Sequence, residues 1–155
     1  MKKFLLMSVV LIAFTAIAGA TTPIIPTTVI SEFRKQFGAD LTVRWEKIEE
    51  TERKTNLYVG HFIQDGIWSD AYFEESGEFV GIGKNITSDQ VPAKLFSLQQ
   101  GKFKGYDVVE VYEYHLKNAE IPVYGLMIRN KKKMIFLEID EAGLVSVVKK
   151  ERFTN

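Results

Sequence analysis

The sequence predicts an α+β fold in which a short helix and four antiparallel strands form a unit, and the unit occurs twice. Three observations carry that expectation. Runs such as YVGHFIQDGIWSDAYFEESGEF (58–79) alternate apolar and polar residues with the period of two that a strand requires. Asp65-Gly66 and the glycine-bearing stretches Glu75-Ser76-Gly77-Glu78 and Glu141-Ala142-Gly143 punctuate those runs as turns. Asp-Gly does so because both positions tolerate the positive φ of a type I′ hairpin. Finally, Tyr58 and Tyr124, Glu75 and Glu141, Gly77 and Gly143, and Lys84 and Lys150 are all 66 positions apart, and the same ungapped shift lays Phe37 on Phe103 and Val43 on Val109. The two copies span about residues 27–86 and 93–152.

The 155 residues suffice for one domain. At the start, MKKFLLMSVVLIAFTAIAGA joins Lys2 and Lys3 to an uncharged apolar run and ends in the small-x-small arrangement Ala18-Gly19-Ala20. That pattern predicts a cleaved secretory signal over residues 1–20 and a single mature domain over 21–155. An uncleaved anchor is the alternative, since Phe4 to Ala20 approaches the roughly 17–20 residues a membrane span needs. The paired lysines and the polar TTPIIPTT that follows favour cleavage, and with it a periplasmic or secreted location. With no cysteine the chain cannot be a lipoprotein, form a disulfide or build a thiolate metal site. The formal charge of zero becomes about −2 once Lys2 and Lys3 are removed, which offers no electrostatic footprint for nucleic acid.

In chain order, Val29, Ile30, Phe33 and Phe37 recur at helical spacing behind Thr27 and Thr28, and Gly38 supplies a stop. Strands are expected at 41–48, 57–64, 67–74 and 79–85, with the charged EETERKT (49–55) as a solvated connection. Gly81-Ile82-Gly83-Lys84 lacks the spacing and following helix of a phosphate loop and reads as a strand relaxed by glycine, with room for a bulge. In the second copy Ser88 or Asp89 offers an N-cap, Pro92 a first-turn proline, and Leu95, Phe96 and Leu98 an apolar stripe as far as Gly101. Strands follow at 107–115, 122–129, 133–140 and 144–150. Lys131-Lys132-Lys133 reads first as a solvated hairpin tip, and phosphate binding is the lesser reading. No proline-, glycine- or serine-rich linker separates the copies, so both are expected in one sheet.

With Asp65-Gly66 as a hairpin tip, cross-strand partners are fixed and lie on one side of the sheet. Tyr58, Gly60, Phe62, Ile67, Ala71 and Phe73 form a core side, joined 66 positions on by Tyr124, Leu126, Ile128, Ile135, Leu137 and Ile139. The other side pairs Val59 with Tyr72, His61 with Asp70, Ile63 with Trp68, Met127 with Phe136 and Arg129 with Met134. Two short helices can cover only one side, so this second side is expected to be exposed. Its aromatics, Met and Arg are residue types enriched at interfaces, and these ten positions are the candidate partner-binding surface. Packing of the same side chains on one another is the structural alternative.

Catalysis finds little support. Ser69 projects away from the His61–Asp70 pair, and His115 is expected to face solvent. The two histidines lie in different copies without metal-ligand spacing, and Glu49, Glu50 and Glu52 lack the glycine and spacing of a calcium loop. No cofactor or metal site is therefore expected.

The order helix, Val43-x-Trp45 strand, Tyr58-x-x-x-Phe62 strand, Asp65-Gly66 turn and strand ending near Gly77, with Tyr124, Ile128, Glu141 and Gly143 in the second copy, resembles PepSY-like periplasmic proteins. It is most similar to the β-lactamase-inhibitor-like, PepSY-like group common in Bacteroidetes. The resemblance implies a BLIP-like fold: one curved eight-stranded sheet with helices on the convex side and an open concave side, the side by which the inhibitor that names the fold grips its enzyme. It thus implies a non-enzymatic binding module with a protein partner in the envelope, such as a peptidase or another enzyme that it inhibits. A carrier of a small apolar ligand and a self-associating homodimer are the alternatives.

Overall fold

Helix α1 (Thr27–Phe37) forms where the apolar spacing places it, in a computed structural model that describes residues 23–50, 55–93, 101, 103–139, 142 and 144–153. The expected signal segment, residues 51–54 of the charged connection and the apolar stripe Leu95, Phe96 and Leu98 lie outside the described residues. Eight strands form an open antiparallel sheet whose order follows the chain: β1 (Arg44–Glu50), β2 (Thr55–Gln64), β3 (Ile67–Glu74), β4 (Phe79–Ile86), β5 (Asp107–Leu116), β6 (Val123–Arg129), β7 (Lys133–Ile139) and β8 (Val145–Arg152). Contacts divide the described chain into two compact units, one holding residues up to 84 with 116–118, the other 85–115 and 119 onward.

In the first unit α1 buries Val29 and Phe33 against Tyr58, Phe62, Ala71 and Phe73. The Phe33 ring stands edge-on to Phe62 at 5.0 Å and to Trp45 at 5.4 Å, the arrangement aromatic quadrupoles favour. Each such ring contributes about 1.5–3 kcal/mol by burial, and a helix of this length depends on that contribution because it is marginal alone. Its N-cap position is Pro26, whose side chain makes no capping bond. Instead the Thr28 hydroxyl donates to the Glu75 carbonyl at 3.2 Å, tying the helix start to the β3–β4 turn. Gly77 in that turn has φ +90°, and a Cβ there would lie 3.0 Å from the Thr28 backbone. At the other end Gly38, at φ 106°, donates its N–H to the Arg34 carbonyl at 2.9 Å.

Asp65 and Gly66 have φ 52° and 78°, so the turn between β2 and β3 is of the expected left-handed kind. The ladder it sets pairs Val59 with Tyr72, His61 with Asp70 and Ile63 with Trp68. Val80 is the extra residue of a bulge, because Tyr72 pairs with Gly81 while Phe73 pairs with Phe79. Two expectations change. β1 starts later and ends later than 41–48: Leu41 and Val43 pack as irregular chain on the core, whereas Glu49 and Glu50 pair with Asn56 and Thr55. An edge strand tolerates that charge, and the ladder bonds outweigh it. Ile67, expected in the core, is 44% exposed because it adjoins the hairpin tip, beyond the last pairs that β3 makes with β4.

The second unit buries Val91, Val111, Leu126, Ile128, Ile135, Leu137 and Ile139 together, the core side the alternation assigns. Ser88 and Asp89 do not act as caps. They belong to a 3-10 turn, Ser88–Gln90, in which the Gln90 side-chain carbonyl accepts from the Thr87 N–H at 3.0 Å. Tyr124 is only half-buried, and its hydroxyl donates to Glu113 across the β5–β6 ladder at 3.1 Å. Registers within the two units agree under the 66-residue shift: Tyr58 pairs with Phe73 and Tyr124 with Ile139, while β4 and β8 begin and end 66 positions apart.

Two outcomes follow from this geometry. Gly77→Ala should cost about 2–4 kcal/mol in chemical denaturation, combining a left-handed backbone with overpacking on Thr28, while Gly66→Ala, which has open space around it, should cost about 1–2 kcal/mol. Equal losses at the two positions would show that the Thr28 contact does not constrain the turn. Burial, then the Glu113 hydrogen bond and charge, raise the Tyr124 phenol above the ordinary tyrosine range. The folded chain therefore holds that proton more tightly, and the stability this contributes is present below about pH 10 and lost as pH rises past it. Stability should fall more steeply for the natural chain than for Tyr124→Phe between roughly pH 9 and 11.

Candidate functional site

Opposite the core, the first unit arranges its second side in cross-strand rows: Glu46, Val59, Tyr72 and Gly81; Arg44, His61, Asp70 and Gly83; then Ile63 and Trp68 alone. The expected pairs are therefore met in register. Exposure is not met throughout. Val59, His61, Asp70 and Tyr72 are buried, at most 5% exposed, while Ile63 and Trp68 are 55% and 39% exposed. The difference follows the ladders. Val59, His61, Asp70 and Tyr72 lie in the middle of strands flanked on both sides. Pairing with β1 stops at His61 and pairing with β4 stops at Ser69, so Ile63 and Trp68 stand on a hairpin tip that has neither neighbour.

Beneath that tip lies a buried polar chain. His61 Nδ1 is 2.7 Å from Asp70 Oδ1, and His61 Nε2 is 3.2 Å from Glu46 Oε2. Which ring nitrogen donates depends on the tautomer. Asp70 is fully buried, and its Oδ2 has no hydrogen-bond partner among the described residues. The pair could orient an imidazole, but the adjacent Ser69 Oγ sits on the core side and donates to the Ile67 carbonyl at 3.5 Å. The chain therefore braces β1, β2 and β3 together beneath the tip.

In the second unit Met127 pairs with Phe136 and Arg129 with Met134, again as expected. Phe136 is buried at 2%, which corrects its assignment to an exposed surface: it lies mid-strand between β6 and β8. Met127 and Met134 are half-buried and Arg129 is exposed. The same side carries Tyr112 and Tyr114, both buried, with rings nearly parallel 6.1 Å apart, and the Tyr112 hydroxyl donates to Glu110 at 2.9 Å. Both tyrosines fall outside the candidate surface, although the alternation in DVVEVYEYHL places them on one side. Glu46 falls outside it as well, because EETERKT (49–55) carries no sequence signal of a tight turn that would set the β1–β2 register. His115 is exposed and stands 3.0 Å from Glu113. Among the described residues, no group of three His, Cys, Asp or Glu side chains is placed to hold a metal ion.

No protein-family model and no curated protein matches the chain. Solved structures do. A DUF2874 family protein from Bacteroides uniformis aligns with a TM-score of 0.64 at 15% identity, covering 83% of this chain and 90% of that one. A "putative periplasmic protein" of Bacteroides eggerthii gives 0.64 at 17%, covering 84% and 90%. A BLIP-like protein of Bacteroides fragilis gives 0.57 at 16%, covering 86% and 90%. At this identity the likeness shows the fold, an open antiparallel sheet of the BLIP-like kind.

The buried chain gives a direct expectation. A double-mutant cycle with His61→Ala and Asp70→Ala should yield a coupling of about 1–3 kcal/mol, as for hydrogen-bonded neighbours cut off from water. The cycle of His61→Ala with Glu46→Ala should yield less than about 1 kcal/mol, because the Glu46 side chain is a quarter exposed. Coupling near zero for the first pair would mean that the contact does not brace the strands.

Proposed function

We propose that the protein is a non-enzymatic protein-binding module of the cell envelope that grips its partner with the β2–β3 hairpin tip. One observation carries the reading. Three large apolar side chains, Ile63, Ile67 and Trp68, stand exposed around a rigid two-residue turn. Behind them His61 and Asp70 are buried 2.7 Å apart, with the partly exposed Glu46 3.2 Å from the other ring nitrogen. A fixed turn carrying a tryptophan loses little entropy on docking, and tryptophan is the residue type most often dominant in interface energetics.

Three further points support the setting. The fold is shared with a BLIP-like protein, and one structural neighbour carries a periplasmic name. The N-terminal twenty residues have the pattern of a secretory signal. No described helix is long and apolar enough to cross a membrane. The common register under the 66-residue shift supports reading the two units as copies of one ancestral unit, and the PepSY likeness rests on the sequence pattern. Inhibition of an envelope peptidase or other enzyme is the form of binding favoured here, with Val59, His61, Asp70 and Tyr72 supporting the tip from beneath. Met127 and Met134, which are half-buried, would serve as a separate patch on the second unit.

The test compares affinity capture from the native envelope by the natural chain and by Ile63→Ala/Trp68→Ala. A specific partner should be retained at least about 30-fold less by the variant, the scale of a lost hot spot. The melting temperature should move by no more than about 2–4 °C, since both side chains are exposed and cross-strand pairs of this kind are worth about 1 kcal/mol at most. Undiminished capture by the variant would refute the tip as the contact.

A further inference from the structure

The β6–β7 hairpin tip, which the proposed function leaves unused, ends in a notch of about 630 Å³ lined by Gly105, Asp107, Arg129, Asn130, Lys131, Lys132 and Phe153. That size is within the range of sites for small organic ligands. Its frame is tied down. The Asn130 side-chain carbonyl accepts from the backbone N–H of Lys132 and of Lys133, each at 2.9 Å, and the Asn130 N–H donates to the Lys133 carbonyl at 2.9 Å. The Phe153 N–H donates to the Lys132 carbonyl at 3.0 Å, so the tail beyond β8 is fastened to the tip and holds its ring, 44% exposed, at the notch.

Positive charge at this tip is in excess. Arg129, Lys131 and Lys132 line the notch against one carboxylate, Asp107, the cross-strand partner of Arg129. Just behind them Lys133 and Arg152 are direct cross-strand partners, a like-charge pairing that costs stability. Among the described residues, the ion pairs involve none of these five cations. Solvated lysines scattered over a surface need no explanation. Here the cations converge on a concave frame fixed by four hydrogen bonds, with an aromatic wall and an excess of positive charge. A multivalent oxyanion would relieve the repulsion, arginine would engage it bidentately, and the ring would cover an apolar substituent.

We propose that this notch binds a phosphomonoester carried on a flat apolar group, the phosphate held by Arg129, Lys131 and Lys132 and the apolar group lying on Phe153. The assignment concerns the second unit alone and stands or falls separately from partner capture by the β2–β3 tip. It gives Arg129 a ligand of its own.

The test is titration of the protein with phenyl phosphate, followed by amide chemical shifts in low salt. Saturable shifts should appear at Gly105, Asn130 and Lys132 and weaken as salt rises to about 1 M, where the screening length falls to about 3 Å. Lys131→Ala/Lys132→Ala should lower affinity at least tenfold. Phe153→Ala should abolish the preference for phenyl phosphate over inorganic phosphate and leave binding of inorganic phosphate in place. All three are surface positions, and unchanged melting temperatures should accompany the losses. A parallel arm with phosphatidic acid vesicles separates a lipid headgroup from a soluble ester: vesicle binding in addition to phenyl phosphate binding assigns the natural ligand to lipid. Vesicle binding without phenyl phosphate binding overturns the notch in favour of a charged membrane-facing surface. Absence of shifts up to about 10 mM phenyl phosphate, or shifts indifferent to the substitutions, also overturns it; the best small ligands reach such affinity with very few atoms.

Discussion

The turn at Asp65-Gly66 is the constraint on which the arrangement of the first unit depends. Side chains of a strand alternate between faces, so a slip of one residue between β2 and β3 would exchange the core for the opposite side. A two-residue turn with both residues at positive φ permits one register, and that register puts Phe62, Ala71 and Phe73 under α1 while sending His61, Asp70, Ile63 and Trp68 the other way. The buried histidine chain and the exposed tryptophan are therefore consequences of the same backbone geometry that builds the core.

The helix depends on this register in turn. It is short, has no side-chain N-cap and carries no acidic residue in its first turn, so little local chemistry holds it. What fixes it is tertiary: Phe33 lodged among Phe62, Phe73 and Trp45, and Thr28 bonded to the β3–β4 turn where Gly77 lets the two backbones approach. Sheet register, aromatic packing and turn geometry thus form one cooperative set in which no member is stable alone.

Much of this was legible in the sequence because it rests on periodicity and turn chemistry. The alternation in β2 and β3, the Asp-Gly turn and the 66-residue spacing located strands to within a few residues and paired Val59 with Tyr72 and Met127 with Phe136 correctly. Burial was less legible, since it depends on where neighbouring strands stop. The same alternating pattern contains Tyr72, buried mid-ladder, and Trp68, exposed four residues earlier, and only the ends of β1 and β4 separate them. Glu46 escaped because EETERKT (49–55) holds no sequence signal of a fixed turn that would carry a register to His61. The Lys131–Lys133 run was visible as a hairpin tip, but nothing in the sequence tied Phe153 to it. That contact is a backbone hydrogen bond between Phe153 and Lys132, 21 positions apart in the chain.

The polar chain beneath the tip runs against the rule that interiors favour apolar groups. Burying a carboxylate with one oxygen left unpaired costs more than one added hydrogen bond returns, and a well-packed apolar pair between β2 and β3 would serve stability as well or better. Directionality is what an apolar pair lacks. The His61–Asp70 hydrogen bond, with Glu46 in contact with the ring's other nitrogen, sets β1, β2 and β3 against one another below the point from which the tip projects. A rigid base matters when the tip must present Trp68 and Ile63 in one orientation, because each rotatable group frozen on docking subtracts from affinity. Stability given up in the chain is then recovered as pre-organisation at the tip, which is the exchange expected where a fold departs locally from the rules that built it.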